Sequence, residues 1–192
     1  MSGDADGNGC AFQIESGASA SVKLAEGAGN SLVSGAKRAG LEVADKASVT
    51  IDGEGSLTAK CFSEQDAHGA GIGGGYSGSA GDITITGGAV TASCEAGDAA
   101  FGAGIGGGIS GGAGTVSISG GMVTALCSGG EAEGSGIGSG FDSGFVSSGG
   151  TVEIAGGTVT ASCEGFSFTR GAGIGGGYNG FAASVKISGG RI

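Results

Sequence analysis

The chain has 192 residues, of which 50 are Gly and none is Pro, and 8 Lys and Arg against 18 Asp and Glu give a net charge of −10. This acidity, without a basic cluster, excludes nucleic acid and an anionic membrane surface as partners. The sequence contains no apolar run of about 18 residues, the length that would predict a membrane span. No export signal is visible, so the chain is expected to be either cytosolic or a piece whose export signal lies elsewhere.

The glycines recur with a period, which distinguishes a repeat protein from a disordered glycine-rich chain. GAGIGGG appears three times, and GSGIGSG is a fourth version of it. A partial unit at each end, 1–20 and 184–192, flanks five units at 21–47, 48–81, 82–114, 115–150 and 151–183. We therefore predict one domain over residues 1–192.

Each unit predicts three short strands separated by corners. The first strand alternates apolar and polar residues, as in SVTI and DITI. A GG pair marks the corner. The second strand, such as VTASC, places Val, Ala and Cys on one face, and the third strand, AGIG, places Ala and Ile inward.

These strands predict an all-β fold in which each unit is one coil of a parallel β-solenoid. Identical positions of successive coils then stack about 4.8 Å apart. The prediction is about six coils, with three short strands per coil and a narrow aliphatic core.

The stretch ITITGGAVTA, followed by a loop and GAGIGGG, resembles the Gly-rich β-helix repeats of bacterial cell-surface proteins. Such repeats are often labelled adhesin-like or carbohydrate-binding, and the resemblance covers residues 21–192. It implies a right-handed parallel β-helix, export and a surface setting, and it brings no catalytic motif. The Cys that ends each second strand departs from the pattern.

The glycine motif has two interpretations. Gly supplies the conformation of a corner, or alternate Gly residues form a flat outward strip that another surface approaches closely. That surface would be another solenoid, a loop of the same chain or a sugar ring. The predicted strip consists of Gly71, Gly73, Gly104, Gly106, Gly136, Gly138, Gly173 and Gly175.

Four cysteines form a predicted column, Cys61, Cys94, Cys127 and Cys163. Neighbours about 4.8 Å apart are within reach of a disulfide, but parallel Cβ vectors favour buried thiols. Cys10 has no partner in this column. No metal or other cofactor is predicted, because there is no CxxC pair and the ligands lie in a row.

A second column follows each glycine run and contains Tyr76, Ile109, Phe141 and Tyr178. The aromatic members Tyr76, Phe141 and Tyr178 either stack on sugars or cover a hydrophobic corner. Variable loops at 62–68, 95–101, 128–133 and 164–170 are expected on one edge, where repeat proteins often bind ligands. Their carboxylates match no known calcium motif and are expected to be solvated surface charge. The single histidine, His68, suggests no catalytic triad.

The two ends of the chain are complementary in sequence. Joining Ile192 to Met1 makes one complete coil, in which RIMS and CAFQI take the places of SLVS and AGLEV. Either subunits stack head to tail, or the chain is a window from a longer solenoid. The predicted end-to-end contact residues are Cys10, Phe12, Ile14, Val185, Ile187 and Ile192.

The functional expectation is a non-enzymatic, extracellular structural or adhesive β-helix that assembles end to end into a surface fibre. The alternative is a carbohydrate-binding module of a surface protein. Expected partners are accordingly further copies of the chain, the rest of a longer chain, or glycans.

Overall fold

The computed structural model describes residues 9–144 and 148–192 and shows a parallel β-solenoid. These residues form eighteen strands and no helix. The strands belong to three sheets of six, and every pairing is parallel. Two of the sheets have six levels, and the other has five because two of its strands lie in the same coil. The chain therefore makes about five turns between its first and last strands, which confirms the predicted fold class.

The first sheet contains the alternating strands at the start of each unit. They are β2 (Ser19–Leu24), β5 (Ser48–Gly53), β8 (Asp82–Ile85), β12 (Thr115–Ile118), β15 (Thr151–Ile154) and β18 (Ser184–Ile187). Their register is the predicted one, with Val49 beside Ile83 and Ile51 beside Ile85. The inward Val and Ile side chains are buried in the middle coils, half-buried at Val22 in the first strand, and exposed in the last strand.

The second sheet contains the longest strands. They are β3 (Gly29–Ser34), β6 (Ser56–Ser63), β9 (Ala89–Ala96), β10 (Ala99–Ala100), β13 (Met122–Ala132) and β16 (Thr158–Thr169). The segments predicted to be loops after each Cys are therefore partly strand. β13 and β16 stay paired beyond Cys127, with a register shift between Gly129 and Glu131.

The third sheet is made of very short strands. They are β1 (Phe12–Ile14), β4 (Leu41–Val43), β7 (Ile72–Gly73), β11 (Ile105–Gly106), β14 (Ile137–Gly138) and β17 (Ile174–Gly175). Ile72, Ile105 and Ile137 stack in register and have no exposed surface. They complete the aliphatic core between the three sheets.

A second, smaller hydrophobic cluster lies beside this main core. It joins the cysteine column to an alanine column from the segments that follow it: Cys61, Ala67, Cys94, Ala100, Cys127 and Ala132 are all fully buried. Ala67 and Ala100 pair across coils, and Ala100 pairs with Ala132. The extension of the second sheet therefore folds back to make a cysteine and alanine lobe, which we call the thiol lobe.

Candidate functional site

The glycines predicted to form an exposed strip lie inside the protein. Gly71, Gly104 and Gly136 are buried, and an added Cβ at Gly104 would be 2.5 Å from the nitrogen of Leu126 in the second sheet. Gly173 in the last described coil faces the carbonyl of Ala161 in the same way. The exposed strip is therefore not observed, because the surface that approaches these glycines is the backbone of the chain's own second sheet.

The alternate glycines of the motif have a different role. Gly73, Gly106, Gly138 and Gly175 have φ between 132° and 143°, a region that side chains rarely adopt. They are also buried, and an added Cβ at Gly73, Gly106 or Gly138 would clash with the carbonyl of the equivalent glycine in the next coil. The interpretation of the motif as a corner conformation holds for this column.

The column formed by Gly71, Gly104, Gly136 and Gly173, which we call the glycine line, also divides the interior. Gly104 faces the peptide between Ala125, which belongs to the main core, and Leu126, which precedes Cys127 of the thiol lobe. The two sheets thus touch backbone to backbone along a line that separates the main core from the thiol lobe. No residue larger than Gly fits on that line.

The cysteine column forms as predicted, and its members are free thiols. Cys61, Cys94 and Cys127 have no exposed surface, and Cys163 is partly exposed. Each thiol donates to a backbone carbonyl of the preceding coil, as Cys127 Sγ does to Ala100 O at 3.5 Å and Cys163 Sγ to Ala132 O at 3.5 Å. The four cysteines therefore repeat the same hydrogen bond as well as the same position in the coil.

Neighbouring thiols interact with one another. The hydrogen bond to Cys163, followed by burial, raises the pKa of Cys127 well above its usual 9.0, whereas the same bond lowers the pKa of Cys163. The pKa of Cys94 is raised in the same way, by its hydrogen bond to Cys61 and by burial. Of the pair at the open end of the column, Cys163 is the partly exposed member.

Cys10 lies apart from the column, near the first coil. Its Sγ donates to Ala39 O at 3.6 Å, as its sequence alignment with Ala39 suggests. Burial and then the Glu42 carboxylate raise its pKa above 9.0. Glu42 is itself buried, and Arg38 neutralises it at 2.8 Å.

The predicted aromatic column is longer than the sequence indicated. His68 and Phe101, from the segments after the cysteines, fill the gap at Ile109. Consecutive ring centroids lie 5.3 Å apart from Tyr76 to His68, from His68 to Phe101 and from Phe101 to Phe141, and 5.9 Å apart from Phe141 to Tyr178. The rings contact one another along the solenoid, while Tyr76 and Tyr178 at the ends of the stack stay 55% and 41% exposed.

Backbone hydrogen bonds position this stack. The N–H groups of Ile109, Phe141 and Tyr178 donate to the carbonyls of His68, Phe101 and Glu133. Glu133 is buried and forms an ion pair with Arg170, whose guanidinium also lies 5.0 Å from the Tyr178 ring centroid. The sequence shows that His68, Phe101, Glu133 and Arg170 occupy equivalent places in successive units. It does not show that this column meets the aromatic column that follows each glycine run.

The two ends of the solenoid expose apolar side chains. At one end Phe12 is 45% exposed, and at the other Val185, Ile187 and Ile192 are 43%, 51% and 57% exposed. Cys10 is partly exposed, and Ile14 is covered by its own chain, so its side chain is not available for an end contact. Residues 1–8, which the predicted joint coil includes, lie outside the described residues.

Two clefts lie on the surface between these ends. A cleft of about 740 Å³ crosses the outer face of the second sheet between Phe62 and Phe166, with Leu126 in its floor. A second, of about 520 Å³, lies beside Tyr76 and is lined by Lys37, Arg38 and Glu42. The first cleft is lined mainly by the variable segments that the sequence placed on one edge. The second cleft includes Tyr76 of the predicted aromatic column.

Within the described residues, no three His, Cys, Asp or Glu side chains converge on a point. Burial lowers the pKa of His68, and its Nδ1 is buried without a hydrogen-bond partner. No helix with the length and apolar character of a membrane span occurs in the part of the chain that the structure describes.

Comparison with known proteins identifies a family. The model of the family described as beta helix repeat matches residues 49–76, 83–109, 116–141 and 152–178, which together are more than half of the chain. No curated protein and no solved structure matches the chain. The chain belongs to the beta helix repeat family.

Proposed function

We propose that the protein is a non-catalytic structural β-helix whose copies stack end to end into a fibre. The observation that carries this proposal is the pair of end faces. Each presents the same three sheets, whose outer edges have no partner in the described chain apart from the bridge between Thr158 and Arg191, and exposed apolar residues lie beside them. Unpaired parallel edges of this kind template further strands.

The register within the chain specifies how two copies would pair. Val185 occupies the column that begins with Ala20, and Ile187 the column that begins with Val22. In the third sheet, Ile174 occupies the column that begins with Phe12. Strand β18 would therefore pair with β2 of the next copy and β17 with β1, which covers the exposed side chains at both ends.

The contact is heterologous, because one end meets the other end of the next copy, and repetition gives an open filament. Six levels at about 4.8 Å predict an axial repeat of about 29 Å. The same faces would be covered by neighbouring coils if the chain were part of a longer solenoid. The cell surface is the proposed setting, on the resemblance of the repeats to those of surface proteins.

The test is negative-stain electron microscopy with light scattering across a concentration series. We expect fibres whose growth is abolished in the double variant V185K/I187K, because two ammonium groups would be buried at the joint. The matched control is M122K, since Met122 is 59% exposed but lies on the flank of the solenoid and not at an end. A chain that stays monomeric at every concentration, or a V185K/I187K variant that polymerises like wild type, overturns the proposal.

A second candidate, glycan binding, is favoured by the cleft beside Tyr76. The Tyr76 ring is 55% exposed, and Arg38 is held between Glu42 at 2.8 Å and Gln13 at 2.6 Å. An aromatic face beside fixed polar groups suits a saccharide, whose ring is apolar on its faces and polar at its rim. Binding to immobilised polysaccharides that is lost in Tyr76→Ala and kept in Tyr178→Ala would support this candidate. No binding across the panel would reject it.

A further inference from the structure

The inference concerns the pair of cysteines at the open end of the thiol lobe. Cys127 of β13 and Cys163 of β16 are direct partners in a parallel ladder. Adjacent strands lie about 4.8 Å apart, and partner side chains project in the same direction. The two sulfur atoms therefore lie one above the other along the solenoid axis, with their Cβ–Sγ bonds nearly parallel.

This arrangement suits a linear metal bridge better than a disulfide. A disulfide needs the two Cβ atoms about 3.8 Å apart with the sulfurs turned toward each other. For metal–thiolate bonds of about 2.3 Å, the length found with zinc, a linear bridge needs sulfurs about 4.6 Å apart, which is close to the strand spacing. The ion then lies on the axis, and both Cβ–Sγ bonds stand roughly perpendicular to it.

We propose that Cys127 and Cys163 bind one monovalent soft cation, of the Cu(I) and Ag(I) class, as a linear bis-thiolate. Thiolate ligands select soft ions, and ions of this class accept two ligands in line. Binding forms two metal–sulfur bonds and releases the two thiol protons to solvent. The complex carries one negative charge, and no electron is transferred.

The chain that returns over the thiol lobe surrounds the pair with backbone groups. The Sγ atoms of Cys127 and Cys163 each lie 3.5 Å from a carbonyl oxygen, Ala100 O and Ala132 O respectively. The N–H groups of Glu133, Gly134 and Arg170 donate to the same two oxygens. One backbone framework therefore holds both sulfur atoms in place. The partly exposed Cys163 gives the ion a route in, whereas Cys127 is fully buried.

The site is selective by geometry. Zn(II) needs four ligands around a point, and no three candidate ligands converge within the described chain. The pair formed by Cys61 and Cys94 has the same register, but both side chains are fully buried. The structure therefore distinguishes one accessible pair from an otherwise equivalent closed pair, which serves as an internal control.

The experiment compares two double variants, both built on Cys10→Ser, with the Cys10→Ser chain as reference. C61S/C94S keeps the open pair, and C127S/C163S keeps the closed pair. Each reduced chain is titrated without oxygen with Ag(I) nitrate and with Cu(I) acetonitrile complex. Thiolate-to-metal absorption in the near ultraviolet gives rate and stoichiometry, and X-ray absorption gives the number of sulfur ligands.

We expect C61S/C94S to bind its first equivalent as fast as the reference, with two sulfurs per ion and no competition from Zn(II). C127S/C163S should bind at least about tenfold more slowly, because the closed pair opens only when coils separate. Equal rates in the two variants, three or more sulfurs per ion, or displacement by Zn(II) would overturn the proposal. Circular dichroism checks that each variant is folded, and Cys163→Ala, at the most exposed position, is the fallback variant.

Discussion

Gly104→Ala is the substitution that most directly tests the contact between the second and third sheets. The added Cβ would lie 2.5 Å from Leu126 N and 2.7 Å from Gly136 O. Both atoms are backbone, so no side chain can rotate away. The sheets would have to separate locally by about 0.9 Å to reach the 3.4 Å of ordinary contact.

The cost has two parts. Overpacking a filled interior costs about 1–3 kcal/mol. Relief of the 2.7 Å contact with Gly136 O also stretches two hydrogen bonds of 2.9 Å within the third sheet, from Gly104 N to Ser135 O and from Ile105 N to Gly136 O, and a typical bond contributes about 1 kcal/mol. We expect a loss of about 3 kcal/mol in the free energy of unfolding, which lowers the ratio of folded to unfolded chain about 150-fold.

The assay is urea unfolding followed by far-ultraviolet circular dichroism, with Gly29→Ala as the matched control. Gly29 begins β3, and an added Cβ there would meet only Ser56 Oγ, at an ordinary 3.6 Å. This control should be unchanged or gain about 0.4–1 kcal/mol, because Ala restricts the unfolded chain. If the two variants unfold within about 0.5 kcal/mol of each other, the sheets do not meet at the glycine line.

Two further predictions concern the core and the aromatic stack. Ile105→Ala removes a fully buried side chain from the middle coil and should lower the free energy of unfolding by about 2–5 kcal/mol in the same urea assay; a loss below about 1 kcal/mol would contradict the core assignment. Burial lowers the pKa of His68 below 6.5, so the unfolded chain binds the proton more readily and the His68 contribution to stability is lost as pH falls from about 6.5. His68→Phe, which copies Phe101 of the next coil, should flatten the pH dependence of the melting temperature on the acid side of 6.5, and an unchanged slope would refute the assignment.

Most of the fold follows from the periodicity of the sequence. Positions such as Val49 and Ile83, or Cys61 and Cys94, repeat at matching places, and in-register stacking is the arrangement that buries all of them together. The direction of the inward columns was therefore predictable. The exposure of Val185 and Ile187 in the last strand was predictable as well, because they have no following coil in the chain.

The glycine strip was placed wrongly for a physical reason. Alternation along a strand predicts that Gly104 faces away from Ile105, but it does not say what lies on that side. In the structure the second sheet extends past the main core, as β13 does up to Ala132, and it covers the side of Gly104 that faces away from Ile105. The extension itself was missed because its Gly and Ser residues are typical of loops.

The candidate surfaces depend on contacts between units, which periodicity within one unit does not reveal. The meeting of Phe101 with Phe141 joins residues that lie forty positions apart. The cleft between Phe62 and Phe166 spans four successive coils. Such contacts require the coil cross-section, which depends on how far the second sheet continues beyond each cysteine.

The glycine line separates a part of the solenoid whose sequence is constrained from a part whose sequence can vary. Because the glycine line closes the main core, the sequence of the thiol lobe and of its outer edge can vary without altering the packing of the main core. Segments 62–68, 95–101, 128–133 and 164–170 already differ in length and composition while the Ile column beside them is constant. The edge is therefore a suitable place for grafted peptides, displayed once per coil at a spacing of about 4.8 Å.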